Sequence, residues 1–274
     1  MARVHMTPDL ASVVAFDNAG VRLPVRQRRR GGGRRQRLRR MAGEVTREEV
    51  WSLRDASFEL AEGEALAIVG HRESGRDPLL RLAAGTLLPD EGAVRRRVPV
   101  VPVIGVGRAL GRSYTVRQNI YLIGGLLGMT PEMVGERLPR IVKDAGLDGM
   151  VDRYLGDTPG RVRGPLAWTI AMAVEGRAYA ISEAMVVGDP AYQERCWKVI
   201  EAKRADGVSF LVTSEREEHL LRFCERALLL DDDRVIDDTS VEDALEQLHQ
   251  LKRHKHDRGL EQEELADEDD DELL

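Results

Sequence analysis

Two glycines stand five positions apart in Gly70-His-Arg-Glu-Ser74-Gly75, and Arg76 and Asp77 follow at once. The apolar run Glu64-Ala-Leu-Ala-Ile-Val-Gly70 leads in, and Leu79, Leu80, Leu82, Ala83 and Ala84 follow in a helical pattern closed by Gly85. A strand, a G-x-x-x-x-G loop and a helix, in that order, can hold phosphate oxygens on backbone N–H groups at the helix N-terminus. The full motif continues with Lys, whose ammonium reaches the β- and γ-phosphates, and then Ser or Thr, whose hydroxyl binds Mg²⁺. Here a guanidinium and a carboxylate take those places. Arg76 is wider and planar, so it is no conservative replacement for lysine. Asp77 offers a metal an oxygen but sets a full negative charge beside an anionic ligand, and Glu73 does the same inside the loop. Pro78 costs little, because the first turn of a helix has N–H groups to spare. A strand-turn-helix crossover that holds no nucleotide also satisfies these residues.

The flanking segments carry a resemblance. Trp51-Ser-Leu-Arg-Asp-Ala-Ser-Phe-Glu-Leu-Ala-Glu-Gly-Glu64 precedes the loop, and Gly85-Thr-Leu-Leu-Pro-Asp-Glu-Gly92 follows it. Together they look like the first lobe of an ATP-binding-cassette (ABC) nucleotide-binding subunit. Thr115-Val-Arg-Gln-Asn-Ile-Tyr-Leu122 resembles the opening of the helical subdomain in the branch that exports polysaccharides, O-antigen and teichoic acids. Val187-Gly188-Asp189-Pro-Ala-Tyr-Gln-Glu-Arg-Cys196 resembles that branch's D-loop and the helix after it. Cys224-Glu-Arg-Ala-Leu-Leu-Leu-Asp231, with Arg234-Val235, matches the last strand pair. The resemblance covers roughly residues 10 to 245.

The resemblance implies a set of site positions, and most hold other residues. The aspartate that would hold Mg²⁺ through water falls on Ser182, and the glutamate after it, the family's general base, is retained as Glu183. The switch histidine that would contact the γ-phosphate falls on Glu215. The Q-loop falls near Gly105, and the signature segment reads Thr158-Pro-Gly-Arg161-Val, without a serine. Cofactor-binding positions are Trp51, which would stack on adenine, then Gly70, Ser74, Gly75, Arg76 and Asp77. Gly188 and Asp189 would lie at a subunit interface. ATP and Mg²⁺ are the implied cofactors. Phosphoryl transfer depends on positioning and charge neutralisation, so replacements at four charge-handling positions point to a pseudo-ATPase with weak or absent nucleotide binding.

The chain of 274 residues is long enough for one large core, or a core plus a small helical subdomain. Two cysteines, Cys196 and Cys224, give no disulfide framework and read as buried apolar residues. Neither a bilayer-spanning apolar run nor a signal-peptide core is present, so a membrane role must come through a partner or the surface. No His/Cys cluster has metal-ligand spacing, and His254 and His256 sit in a charged, solvated stretch. The formal net charge of −6 hides two opposed blocks. Residues 22 to 40 hold ten arginines and no acid, while Glu261 to Glu272 is almost wholly acidic. The basic block reads as a solvated loop, or as a patch for anionic lipid or a permease's acidic surface. Nothing in it supports nucleic-acid binding.

Strands are expected near 12–16, 53–60, 64–70, 98–104, 178–182, 208–213, 226–231 and 234–237, and helices near 78–85, 115–128, 131–146, 165–175, 190–205, 215–224 and 240–251. The alternation predicts an α/β fold with an antiparallel β lobe beside a mostly parallel sheet, and the resemblance implies that it is a P-loop NTPase of the ABC type. The expected organisation is a nucleotide-binding domain over 10–245, with a basic insertion at 22–44 and a helical subdomain at about 112–172. A charged, acidic, disordered tail occupies 246–274. The function expected is a cytoplasmic cassette subunit of a polysaccharide or teichoic-acid exporter, peripheral on the plasma membrane. It would dock on a transmembrane permease and pair with a second nucleotide-binding subunit, as a homo- or heterodimer. A regulatory or scaffold protein on the same fold, and a divergent active ATPase, are the alternatives.

Overall fold

The computed structural model describes residues 12–25, 48–71, 74–182 and 186–254. Most of the basic block, residues 255–274 of the expected tail, His256, Glu73 and Glu183 lie outside them. Residues 246–254, expected in a disordered tail, are instead helical and bury Leu248 against the core.

Alternating apolar positions in β1 (Ser12–Val25) and β2 (Glu48–Ala61) pair them antiparallel, and β4 (Glu91–Arg96) joins the outer edge of β1. The short apolar runs β3 (Ala65–Gly70), β5 (Val100–Val103), β6 (Ala178–Ser182), β7 (Ser209–Thr213) and β8 (Arg226–Asp231) form the parallel part. Strand β9 (Arg234–Ser240) runs antiparallel to β8 and meets β2 through a single pairing of Arg54 with Arg234. The order β4-β1-β2-β9-β8-β3-β7-β6-β5 is the antiparallel lobe beside a mostly parallel sheet that the sequence predicts.

The central strands are buried on both faces, so their side chains feed two cores. Leu66 and Ile68 of β3 join Leu79, Leu80 and Leu82 of α1 (Arg76–Ala84) on one side. Ala65, Ala67 and Val69 join the other core, beneath α3 (Val116–Leu126), α4 (Pro131–Asp144), α5 (Arg163–Ala173) and α6 (Pro190–Ala205). Each fully buried leucine of α1 contributes about 1.5–3 kcal/mol by leaving water. That packing fixes the helix whose N-terminus ends the glycine loop. Cys196 and Cys224 lie in the second core, and burial pushes their thiols up to about 11 and about 12.

Local chemistry sets the element ends. Thr115 and Gln118 make a capping box on α3. Buried Asn119 accepts from Gly111 N at 2.8 Å and donates to Gly111 O at 3.0 Å and Thr115 O at 2.9 Å, pinning the loop into that helix. The short α2 (Val106–Ala109), α7 (Glu217–Phe223) and a last helix over 241–254 complete the described chain.

Two elements escape sequence reading. The first is α2, a single turn among glycines. The second is β4, Glu91-Gly-Ala-Val-Arg-Arg96, with none of its residues fully buried and half of them charged, as suits an edge strand. Its last residue has a packing role: Arg96 Nε donates to Ala83 O at 2.7 Å and Nη2 donates to Leu82 O, closing the carbonyl end of α1. Burial there lowers the Arg96 pKa below the ordinary arginine value. Strand β1 also runs on to Val25, well past the expected Phe16, because Arg22–Val25 stay paired with Glu48–Trp51.

Candidate functional site at the glycine loop

The glycines at 70 and 75 are required by the chain's own backbone. A Cβ on Gly70 would meet Leu230 O at 2.6 Å, and one on Gly75 would meet Ser52 O at 2.6 Å. Gly75, with φ 92°, is the N-cap of α1 and leaves the helix start without a side-chain cap. Ser74 is turned inward: its Oγ donates to His71 O at 2.7 Å and its N–H to the same oxygen at 3.0 Å.

The next two residues reach the ends of two neighbouring strands. Arg76, with 8% of its side chain exposed, places Nη2 2.8 Å from Glu215 Oε1, two residues past the end of β7. Asp77 Oδ1 accepts a 2.9 Å hydrogen bond from Ser182 Oγ, the last residue of β6. Ser182 and Thr213 are register partners in the sheet, so β6 and β7 deliver both contacts side by side. A charge-assisted bond to a nearly buried guanidinium is far stronger than the same pair in open solvent. The half-exposed Glu215 carboxylate moderates that gain.

Trp51 sits half-buried on β2, and two guanidinium groups lie over its ring, Arg22 at 4.1 Å and Arg54 at 5.4 Å from the ring centre. Cation–π contact of this kind uses the surface on which a flat ligand would stack. The Arg22 and Arg54 contacts are not legible in sequence, because they depend on the long β1–β2 register that pairs Arg22 with Trp51.

The remaining sequence positions are spread around this loop. Gly105, with φ 65°, is the N-cap of α2. Together with Val103, Val106, Trp168, Val187 and Ser182, it lines a cavity of about 250 Å³. Thr158 is buried and its Oγ1 donates to Leu155 O at 2.8 Å, so it presents no free hydroxyl. Gly160–Val162 form a 3₁₀ turn before α5, which starts at Arg163 without a side-chain cap. Gly188 has φ 82°, and a Cβ there would press on Tyr192 Cβ at 3.0 Å. Asp189 Oδ1 accepts from Tyr192 N at 2.9 Å and so caps α6. Local geometry alone accounts for both residues.

A Mg²⁺-nucleotide asks this loop for a free cation, a neutral hydroxyl and a carboxylate facing the metal. The described residues offer a cation already bonded to a carboxylate, and a carboxylate already accepting from the hydroxyl. No group of three or more His, Cys, Asp or Glu among them is placed to hold a metal ion. These residues do not fit the charged ligand that the loop's shape suggests.

No protein-family model matches the chain. Known proteins do. The ABC transporter protein AbcA of Aeromonas salmonicida is 31% identical over 185 residues, 68% of this chain and 60% of that protein. The O-antigen export system ATP-binding protein RfbB of Klebsiella pneumoniae is 29% identical over 195 residues, 71% of this chain and 79% of that protein. Among solved structures, the dimeric ATP-binding cassette MJ0796 bound to ADP and Pi superposes with a TM-score of 0.63 at 18% identity, covering 83% of this chain and 98% of that one. The chain has the fold of an ABC cassette and is a relative of export ATP-binding subunits. A nucleotide-free cassette from an ABC transporter superposes nearly as well, with a TM-score of 0.61 at 16% identity over 87% of this chain and 95% of that one. The cassette spans 60% of the length of AbcA. Among its described residues no helix is long and apolar enough to cross a membrane.

Proposed function

We propose that this cassette is the peripheral, cytoplasmic-face subunit of a polysaccharide or teichoic-acid exporter, silent as an ATPase and paired with a second, competent cassette. The names of its relatives support the export half of that reading, since they include O-antigen, teichoic-acid and polysialic-acid export ATP-binding proteins. The silent half rests on one observation: Arg76 is bonded to Glu215, and Asp77 to Ser182. Hydrolysis needs charge neutralisation at the transferred phosphoryl group, and here Arg76, the cation that opens the loop helix, is already paired with Glu215, while Asp77 adds a negative charge.

On this reading residues 10–245 are the cassette, and about 112–172 is the subdomain that faces the permease. The basic insertion begins only after β1, over about 26–44, and meets anionic lipid or a permease. ATP and Mg²⁺ act at the partner's loop. The test is co-purification of the chain from its native membrane. A permease and a second cassette with intact Lys and Asp motifs should come with it. Recovery in the soluble fraction without either would favour the regulatory or scaffold alternative.

A further inference from the structure

We propose that Arg76, Asp77, Ser182 and Glu215 form a ligand-independent latch that fastens the N-terminus of α1 to the ends of β6 and β7. The proposal rests on the silent-cassette reading and names how the silent site is held. By the resemblance, position 76 would carry a cation and position 215 an imidazole, both addressing the same γ-phosphate. In this chain residue 76 meets residue 215 directly, with nitrogen and oxygen 2.8 Å apart and no room for a phosphate between them. At the adjacent pair the two chemistries have changed places. The hydroxyl expected after the loop lysine stands at the strand end, as Ser182, and the carboxylate expected there stands on the helix, as Asp77.

The physical consequence is a contact that needs no ligand to close. A guanidinium buried as deeply as that of Arg76 must keep an anion beside it. Glu215 supplies that anion from within the chain, at an effective concentration that a free phosphate cannot match at ordinary levels. An incoming anion must displace Glu215 and then face the Asp77 carboxylate one residue along. Asp77 itself sits in the first turn of α1, where the helix dipole favours a negative charge. The bonds also span 139 and 105 positions of sequence, so the latch ties segments that the backbone alone leaves independent.

Hydrogen exchange on the full chain tests the latch, with Mg²⁺-ATP and inorganic phosphate as probes. In the unaltered chain, amides of 76–84 and 209–217 should exchange at the same rates with and without either probe. Glu215→Gln keeps the side-chain size and removes the charge. It should speed exchange in both segments together by about tenfold, the size expected for losing one charge-assisted bond. Added phosphate should then slow exchange again, by taking the vacated place beside Arg76. Unchanged exchange in Glu215→Gln, or protection of the unaltered chain by Mg²⁺-ATP, overturns the proposal. Should Glu215→Gln fail to fold, Ser182→Ala reads the second bond, and faster exchange of both 76–84 and 178–182 is the result the latch requires. These measurements use the isolated chain, so their outcome is independent of whether a permease is recovered.

Discussion

Ser182 Oγ donates a 2.9 Å hydrogen bond to Asp77 Oδ1, joining the last residue of β6 to the first turn of α1 across 105 positions. A serine and an aspartate at these two places are what the resemblance leads one to expect, but in the reverse arrangement. On the silent-cassette reading the exchange joins the two positions by a hydrogen bond in place of a shared metal. The carboxylate that would face a hydrated Mg²⁺ from the strand instead sits on the helix, with one oxygen engaged by the serine.

The first expectation concerns turnover. The purified chain should hydrolyse no ATP above a Glu183→Gln control. A Mg²⁺-dependent rate that vanishes in that control would mean that hydrolysis survives without a free loop cation, and the silent-cassette reading would fall.

Nucleotide affinity is a separate matter, because loop backbone can bind anions without catalysing anything. Binding should be weak and insensitive to Mg²⁺, since Glu215 already occupies Arg76 and two guanidinium groups lie over Trp51. Titration calorimetry showing micromolar, Mg²⁺-dependent affinity contradicts this. The double substitution Asp77→Ser with Ser182→Asp should introduce a Mg²⁺ response that neither single change gives.

The fold was legible in the sequence to a degree the site was not. The unbroken apolar stretches Ala178-Tyr-Ala-Ile181 and Phe210-Leu-Val212 are short, rich in β-branched and aromatic residues, and read as buried strands from sequence. Burial of both faces then demands a parallel sheet with helices on either side. The four site residues were legible as replacements but not as partners. Arg76 and Glu215 are opposite charges 139 positions apart, and only the packing of α1 against the ends of β6 and β7 makes them neighbours. Complementarity between the replaced positions was the available signal: a cation had gained a carboxylate, and a hydroxyl and a carboxylate had traded places. The roles of Gly188 and Asp189 show the converse difficulty, because helix entry explains both without any interface.

A pH dependence follows from His219. Its ring packs edge-on against Trp197 at 5.4 Å, and burial lowers its pKa below the ordinary histidine value, helped by Arg216 and Arg222 and opposed by Glu218. The fold therefore favours the neutral ring. The unfolded chain binds the extra proton first as pH falls, so stability is complete above the ordinary range of about 6.5 and declines as pH drops through it. The decline levels off below the lowered value of the folded state. Thermal midpoints measured between about pH 7.5 and pH 5 should fall less steeply for His219→Gln than for the unaltered chain. Equal slopes would assign the acid sensitivity to other groups.

The last expectation separates helix capping from interface chemistry at Asp189. As a cap, Asp189 bonds Tyr192 N at 2.9 Å, and Asp189→Ala should cost about 1 kcal/mol of stability whatever else the residue does. Asp189→Asn retains a capping oxygen and should restore most of that loss, which makes it the informative partner variant. If the residue also touches a competent cassette's site, the ATPase rate of the assembled exporter should fall in Asp189→Ala and stay low in Asp189→Asn, because a neutral amide caps a helix but does not replace a carboxylate across a subunit boundary. Arg76→Ala lies in the loop that the latch already closes, so it should leave the partner's rate nearly unchanged while lowering this chain's own stability. A rate restored in full by Asp189→Asn would reduce Asp189 to a cap, and equal losses from Asp189→Ala and Arg76→Ala would sink the asymmetric pairing itself.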